Sequence, residues 1–136
     1  MDRLRERLAI ARKALGTFQA VASGPHTDAL MRDGAIKRFE YSYEVTWKAA
    51  QRFLQDNEAR DAGSPKSCVR LCREEGILSN EDAEAALRMA EDRNLTAHTY
   101  HEALAKDLAV RLPAHAALMD RWLSAMESRL EPPREG

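Results

Sequence analysis

Apolar residues recur every three or four positions along most of this chain, and that spacing predicts helices. The first stripe consists of Leu4, Leu8, Ala11, Leu15, Phe18 and Ala22. Glycine, proline and capping residues interrupt the pattern and divide it into five predicted helices, at residues 2–22, 28–58, 65–75, 80–93 and 101–130. These elements predict an all-α fold, an antiparallel up-and-down bundle of four main helices plus one short helix.

The same pattern sets the expected domain limits. We expect residues 1–130 to form a single helical bundle domain, because no internal repeat or long linker divides them. Residues 131–136 include two prolines and are expected to form a frayed tail.

Composition narrows the class of protein. The chain has 136 residues with only 6 Gly, 5 Pro and 6% aromatic residues, too few turn formers and aromatics for a many-stranded β protein. Its 21 basic and 22 acidic residues give a net charge of −1, which argues against a strongly basic nucleic-acid module but leaves room for a local basic patch. The sequence has no apolar run long enough to predict a membrane-spanning helix, and we expect a cytoplasmic protein.

The sequence lacks the motifs of several common kinds of catalysis. We find no glycine-rich phosphate loop, no His-Glu-x-x-His and no Asp-x-Asp pair, so we expect no cofactor and no metal-assisted phosphoryl chemistry by this chain alone. Cys68 and Cys72 lie four residues apart on a predicted helix, a poor geometry for a disulfide. Because no third or fourth ligand accompanies them, we predict buried free thiols and no metal site.

Residues 91–101 gather the side chains best suited to chemistry. Arg93 suits a phosphate, His98 suits proton transfer and the Tyr100 hydroxyl can donate, accept or be modified. On one continuous helix Arg93 and His98 would lie about 140° apart, so sharing a face requires a helix break or a second copy of the chain. The set would support metal-free RNA cleavage; alternatively, Arg93 pairs with Asp92 or a helix terminus and His98 is a satisfied cap.

Other polar residues have simpler interpretations. Off the apolar stripe of the second helix, the spacing predicts solvated ion pairs one turn apart among Lys37, Glu40, Glu44 and Lys48. His115 lies on the apolar stripe of the last helix, and we expect a core or interface histidine with one hydrogen bond.

Three motifs resemble those of a known family. Residues 93–100, Arg-Asn-Leu-Thr-Ala-His-Thr-Tyr, match the Arg-x4-His-x-Tyr signature of the HEPN superfamily. Residues 39–48 resemble the helix-two motif of its nucleotidyltransferase substrate-binding protein branch, related to HepT toxins, and residues 64–66 with 76–78 resemble its middle. Since the motifs occur in order over nearly the whole chain, the sequence is identified as a member of that HepT-like branch.

The resemblance implies a small helical bundle that forms homodimers. Such proteins are encoded beside a minimal nucleotidyltransferase and form a two-component complex with it. The chain would then be a partner subunit that binds nucleotide or RNA and presents substrate to the catalytic chain.

The family's residue roles carry over to four positions. Arg93 and His98 would be catalytic or nucleotide-binding, Asn94 and Tyr100 would help to bind the nucleotide, and Tyr100 would be the modification target. In a HepT-like toxin this chain would be a metal-independent ribonuclease, silenced when the partner transfers AMP to Tyr100. A helical interaction module without chemistry is the third hypothesis.

Overall fold

The computed structural model describes residues 2–130 and contains all five predicted helices. They are α1 (Arg3–Ala22), α2 (Ala29–Glu58), α3 (Pro65–Glu74), α4 (Asn80–Leu95) and α5 (Glu102–Leu130), with a 3-10 turn, Thr96–His98, between α4 and α5. The predicted all-α class is therefore confirmed. The tail predicted at residues 131–136 lies outside the described residues.

Side-chain caps explain where four of the helices begin. Asp2, Asp28, Ser64 and Ser79 each accept a hydrogen bond from a backbone N–H in the first turn of the following helix. At α3, Ser64 and Ser67 cap each other's backbone reciprocally and Pro65 occupies the first turn. Short polar residues of this kind border each apolar stripe, which is why the predicted and observed boundaries agree within a few residues.

Contacts between helices give the direction of each one. The Ser42 hydroxyl donates to the Ala14 carbonyl over 3.1 Å, and further along α1 the ring of Phe18 lies 5.8 Å from that of Phe39. Arg5 donates to the Leu130 carbonyl over 3.0 Å, and further along α1 Arg12 pairs with Asp120. Helix α1 therefore runs antiparallel to α5 as well as to α2. Ion pairs of Asp82 with Arg121 and of Asp92 with Arg111 make α4 antiparallel to α5. The main helices α1, α2, α4 and α5 thus alternate in direction, as predicted for an up-and-down bundle.

The short helix α3 belongs to the connection between α2 and α4. Residues 59–64 turn back along α2, where Gln51 donates to the Ala62 carbonyl over 2.7 Å. Helix α3 then begins beside the C-terminal end of α4, since Lys66 lies 3.4 Å from Glu91. This route places the start of α3 next to the residues that the sequence marked for chemistry.

The core is built from the large side chains of three long helices. Its largest fully buried residues include Trp122, Tyr43, Phe18, Phe39 and Phe53. Trp47 is only partly buried, at the edge of this core. Both cysteines are buried and unpaired, as predicted. Within residues 2–130 no helix is long and apolar enough to cross a membrane.

Candidate functional site

The candidate site is the segment of residues 93–100, where helix α4 ends. Regular α-helix continues to Leu95, two residues beyond the predicted end, and then tightens into the 3-10 turn Thr96–His98. The Thr96 hydroxyl lies 2.7 Å from the Arg93 carbonyl, where it competes with the regular helix hydrogen bonds and favours a helix end. The segment therefore contains the expected break between Arg93 and His98.

Arg93 is held by acidic residues of helix α2. Its Nε donates to Glu44 Oε1 over 3.2 Å, and its Nη1 donates to the Thr96 hydroxyl over 3.2 Å. Glu40 Oε2 lies 3.9 Å from the same Nη1 and 2.7 Å from the Thr96 hydroxyl. Only 28% of the Arg93 side chain is exposed. The guanidinium is thus fixed in place, and its Nη2 remains available for a further acceptor.

Two sequence interpretations are corrected by these contacts. Glu40 does pair with Lys37 along α2, but Glu44 reaches across to Arg93, and in residues 2–130 Lys48 pairs with no carboxylate. The predicted row of solvated pairs is therefore wrong in part, because Glu40 and Glu44 face α4 instead of solvent alone. The alternative that Arg93 pairs with Asp92 is also wrong, because adjacent helical residues point about 100° apart.

The electrostatics of Glu40 agree with this arrangement. Burial alone would raise the pKa of Glu40, but hydrogen bonds from Thr96 and Lys37 and the charge of Arg93 hold it below its ordinary value. Glu40 is therefore ionised at neutral pH and keeps Arg93 and Thr96 in one network.

A groove of about 340 Å³ runs beside Arg93, between helices α2, α3 and α4. Arg93 and Asn94 line it, together with Glu44 and Lys66. The Tyr43 side chain also lines the groove, and its buried hydroxyl has no hydrogen-bond partner within residues 2–130. Burial raises the pKa of Tyr43, so the hydroxyl stays protonated. The groove has the size of a small-ligand site and offers several hydrogen-bond donors.

His98 and Tyr100 form a second, exposed group. His98 Nδ1 lies 3.2 Å from the Tyr100 hydroxyl, and the two rings meet edge to face with centroids 5.9 Å apart. The Tyr100 side chain also contacts the ring of His101, with centroids 4.5 Å apart. Tyr100 is 75% exposed. One chain thus brings Arg93 and Asn94 together in the groove and His98 and Tyr100 together on the surface, and these two pairs have no hydrogen bond between them in residues 2–130.

A buried cluster that the sequence did not predict lies on the other side of α4. Asp92 accepts two hydrogen bonds from Arg111, over 2.8 and 2.9 Å, and one contact of 2.6 Å joins it to His115 Nε2. His115 is buried and stacks on Phe39 with ring centroids 5.0 Å apart. The prediction of a core histidine with one hydrogen bond is confirmed. The sequence gives only a weak signal for Asp92 as the partner of His115. Asp92 directly precedes Arg93, and nothing in the spacing of residues on α4 indicates a contact with α5.

Burial and pairing shift the pKa of both members of this cluster. Burial would raise the pKa of Asp92, but the hydrogen bonds from Arg111 and His115 outweigh it and the pKa is lowered. Burial lowers the pKa of His115 more than Asp92 raises it. His115 is therefore neutral at pH 7 and donates Nε2–H to the Asp92 carboxylate. The cluster fixes the last turns of α4, from which Arg93 projects.

The chemical capacity of the site follows from its donors. In the described part of the chain, no three His, Cys, Asp or Glu side chains are grouped to hold a metal ion. The groove presents one fixed guanidinium, an ammonium and an amide, which suit a phosphate oxygen. The exposed Tyr100 hydroxyl, beside a histidine nitrogen, suits a nucleophile that accepts a transferred group.

The fold and the site define a class: a helical bundle with a phosphate-compatible groove and an exposed tyrosine at a helix break. Residues 6–128 match the family model described as nucleotidyltransferase substrate-binding protein like. The chain belongs to the nucleotidyltransferase substrate-binding protein family. This confirms the membership identified from the three sequence motifs.

Solved structures similar to this chain agree with that assignment. A protein of Thermus thermophilus is 45% identical, with a TM-score of 0.83 over 85% of this chain and 98% of that one. A Haemophilus influenzae protein, described as a substrate-binding domain of a nucleotidyltransferase, is 18% identical, with a TM-score of 0.75 over 88% and 98%. No protein among the curated sequences matches.

A toxin structure shares the fold as well. The tri-AMPylated HEPN toxin of Shewanella oneidensis, in complex with its MNT antitoxin, is 14% identical to this chain. Its TM-score is 0.76, over 94% of this chain and 98% of the toxin chain. At this identity the likeness shows the fold alone.

Proposed function

We propose that this chain is the substrate-binding or nucleotide-binding subunit of a two-component minimal nucleotidyltransferase system. In this role it presents substrate to a catalytic partner chain encoded nearby. Membership of the family supports the role, and so does the complex of the similar Shewanella toxin with its MNT antitoxin.

The observation that carries this proposal is that Arg93 and His98 of one chain have different partners. Arg93 is committed to Glu44 and Thr96 inside the groove, whereas His98 is paired with Tyr100 on the surface. Within residues 2–130 of one chain, Arg93 and His98 are therefore not assembled as a pair for cleavage. It does have a groove that suits a phosphate and an exposed Tyr100 hydroxyl, which are the features that a presenting subunit needs.

A second copy of the chain is part of the proposal. In a homodimer joined around residues 93–100, the two copies of Arg93 and His98 would line a common cleft, which in this role binds the nucleotide and does not cleave RNA. Asn94 is exposed at the groove edge and would contact the nucleotide there. A monomer in solution, measured by light scattering, would remove this part of the proposal.

The experiment that tests the role uses the chain together with its neighbouring nucleotidyltransferase. Transfer of labelled AMP from ATP would be measured with the wild-type chain and with Arg93→Gln. Losing a charged hydrogen bond that orients the substrate is expected to slow transfer about tenfold. Arg73→Gln is the matched control, since Arg73 is an exposed arginine of α3 with no ion pair among residues 2–130. Equal rates for the two variants would contradict the role of Arg93.

A HepT-like toxin is the second candidate, favoured by the exposure of Tyr100 and its contact with His98. In that case the chain cleaves RNA without metal, with Arg93 and His98 as catalytic residues, and AMP on Tyr100 silences it. The Shewanella toxin is described as tri-AMPylated, which supports a modification at a corresponding surface.

Two measurements test the toxin candidate. RNA cleavage in the presence of EDTA should disappear in His98→Ala; cleavage that persists would exclude His98 as the catalyst. After incubation with ATP and the nucleotidyltransferase, mass spectrometry should find AMP on Tyr100, and none in Tyr100→Phe. Tyr41→Phe is the control, because Tyr41 is a tyrosine that is 56% exposed on α2. An unmodified Tyr100 in the wild-type chain would count against the candidate.

A further inference from the structure

A second groove, of about 400 Å³, lies between helices α4 and α5, on the face of α4 that carries Asp92. Three arginines line it: Arg88, Arg111 and Arg121. Small and apolar side chains, Ala85, Ala114 and Leu118, form its walls. Most ligand sites have this composition, apolar walls with a few convergent polar groups.

Helical geometry explains how the arginines are spaced. Arg111 and Arg121 are ten residues apart on α5, which corresponds to about 15 Å along the axis. Because α4 runs antiparallel to α5, with Asp92 beside Arg111 and Asp82 beside Arg121, Arg88 lies opposite the middle of this span. The three guanidinium groups therefore follow the length of the groove instead of crowding at one point.

Two of these guanidinium groups are already held in position. Arg111 donates Nε and Nη2 to Asp92, and Arg121 donates Nε and Nη2 to Asp82 over 3.1 and 3.0 Å. Each pair leaves Nη1, with two N–H groups, for another acceptor. Arg88 pairs with no carboxylate anywhere in residues 2–130. Among the described residues, the groove thus has an exposed arginine without an ion pair, Arg88, between two positioned ones.

Arg88 supplies the positive charge of the groove that remains free for an anion. Asp92 and Asp107 act on the charge of Arg111, and Asp82, Asp120 and Glu81 act on that of Arg121. Glu91 also lines the groove, but its carboxylate pairs with Lys66 of α3.

We propose that the α4–α5 groove binds the phosphate chain of a small molecule, either a nucleotide or an inorganic polyphosphate. Arginine forks match phosphate oxygens in geometry as well as in charge. Several phosphates in a row suit arginines that lie at successive heights along the groove. The site uses none of residues 93–100 and does not rest on the proposed function.

Isothermal titration calorimetry of the whole chain tests this site with three probes: sodium triphosphate, ATP and adenosine. Triphosphate and ATP should bind, adenosine should not, and added NaCl should weaken binding. Arg88→Gln and Arg121→Gln should each raise Kd about tenfold. Arg88→Gln removes no internal ion pair, so its fold should be intact by circular dichroism. Arg70→Gln, at an exposed arginine of α3, is the matched control and should leave Kd unchanged.

The probes also distinguish the two sources of phosphate. ATP binding at least tenfold tighter than triphosphate assigns the groove to a nucleotide, and equal affinities assign it to a phosphate chain. No binding of either probe at millimolar concentration would overturn the inference. Binding that is lost in Arg93→Gln but unchanged in Arg88→Gln and Arg121→Gln would also overturn it. That last result would leave the groove beside Arg93, and the proposed function, intact.

Discussion

Replacing Asp92 by alanine should destabilise the fold more than the loss of any other carboxylate on α4. Asp92 is only 6% exposed and accepts three short contacts, two from Arg111 and one from His115. Removing it leaves the His115 N–H without a partner inside the protein. Arg111 suffers less, because 44% of its side chain is exposed and water can replace the carboxylate.

The expected loss of stability follows from how far Asp92 and Arg111 are buried. Removing one partner of a buried ion pair costs about 3–5 kcal/mol, and the solvent access of Arg111 puts this case near the lower limit. We therefore expect the free energy of unfolding to fall by about 3 kcal/mol. Urea denaturation followed by circular dichroism and by tryptophan fluorescence, to which buried Trp122 contributes, measures this change.

Asp82→Ala is the matched control for Asp92→Ala. Asp82 also makes a two-bond pair from α4 to an arginine of α5, but Arg121 is 54% exposed and Asp82 24% exposed. Exposed pairs contribute about 1 kcal/mol or less. If Asp92→Ala costs no more than Asp82→Ala, the argument that burial makes the Asp92 cluster important is refuted.

Three further predictions use other parts of the structure. His115 has a pKa lowered by burial, so the unfolded chain takes up a proton first as pH falls below about 6.5. Stability should therefore decrease from pH 7 to pH 5, and His115→Gln should flatten that dependence in urea titrations; an unchanged slope would count against it. Ser64→Ala removes the α3 cap and should cost about 1 kcal/mol, whereas Ser128→Ala, at an exposed serine of α5, should cost much less in the same assay. Glu44→Gln removes the charge that holds Arg93, and in NMR spectra the Arg93 side chain should become more mobile while that of Arg121 does not; unchanged Arg93 mobility would argue that Thr96 and Glu40 suffice.

The sequence predicted the helices because their signals are local. Apolar spacing and capping residues such as Ser64 act within a few positions, and short loops between long helices favour antiparallel neighbours. Burial of His115 and of both cysteines followed from the same spacing. The position of α3 could not be predicted from such local signals, because it depends on residues 59–64 folding back along α2.

The candidate site was only partly predictable for a related reason. The position of Arg93, His98 and Tyr100 at a helix break could be read from residues 91–101. The partners of Arg93 could not, since Glu44 is 49 positions away and becomes a neighbour only when α2 and α4 pack. The spacing of apolar residues along α2, taken by itself, predicted that the Glu44 side chain faces solvent.

The claim that this chain is a partner subunit is tested most directly by its association with the neighbouring minimal nucleotidyltransferase. The two chains would be purified separately, mixed at micromolar concentration and analysed by size-exclusion chromatography with light scattering. We predict one peak that contains both chains, with a mass that includes two copies of this one. Separate elution of the two proteins, with and without ATP, would contradict the account.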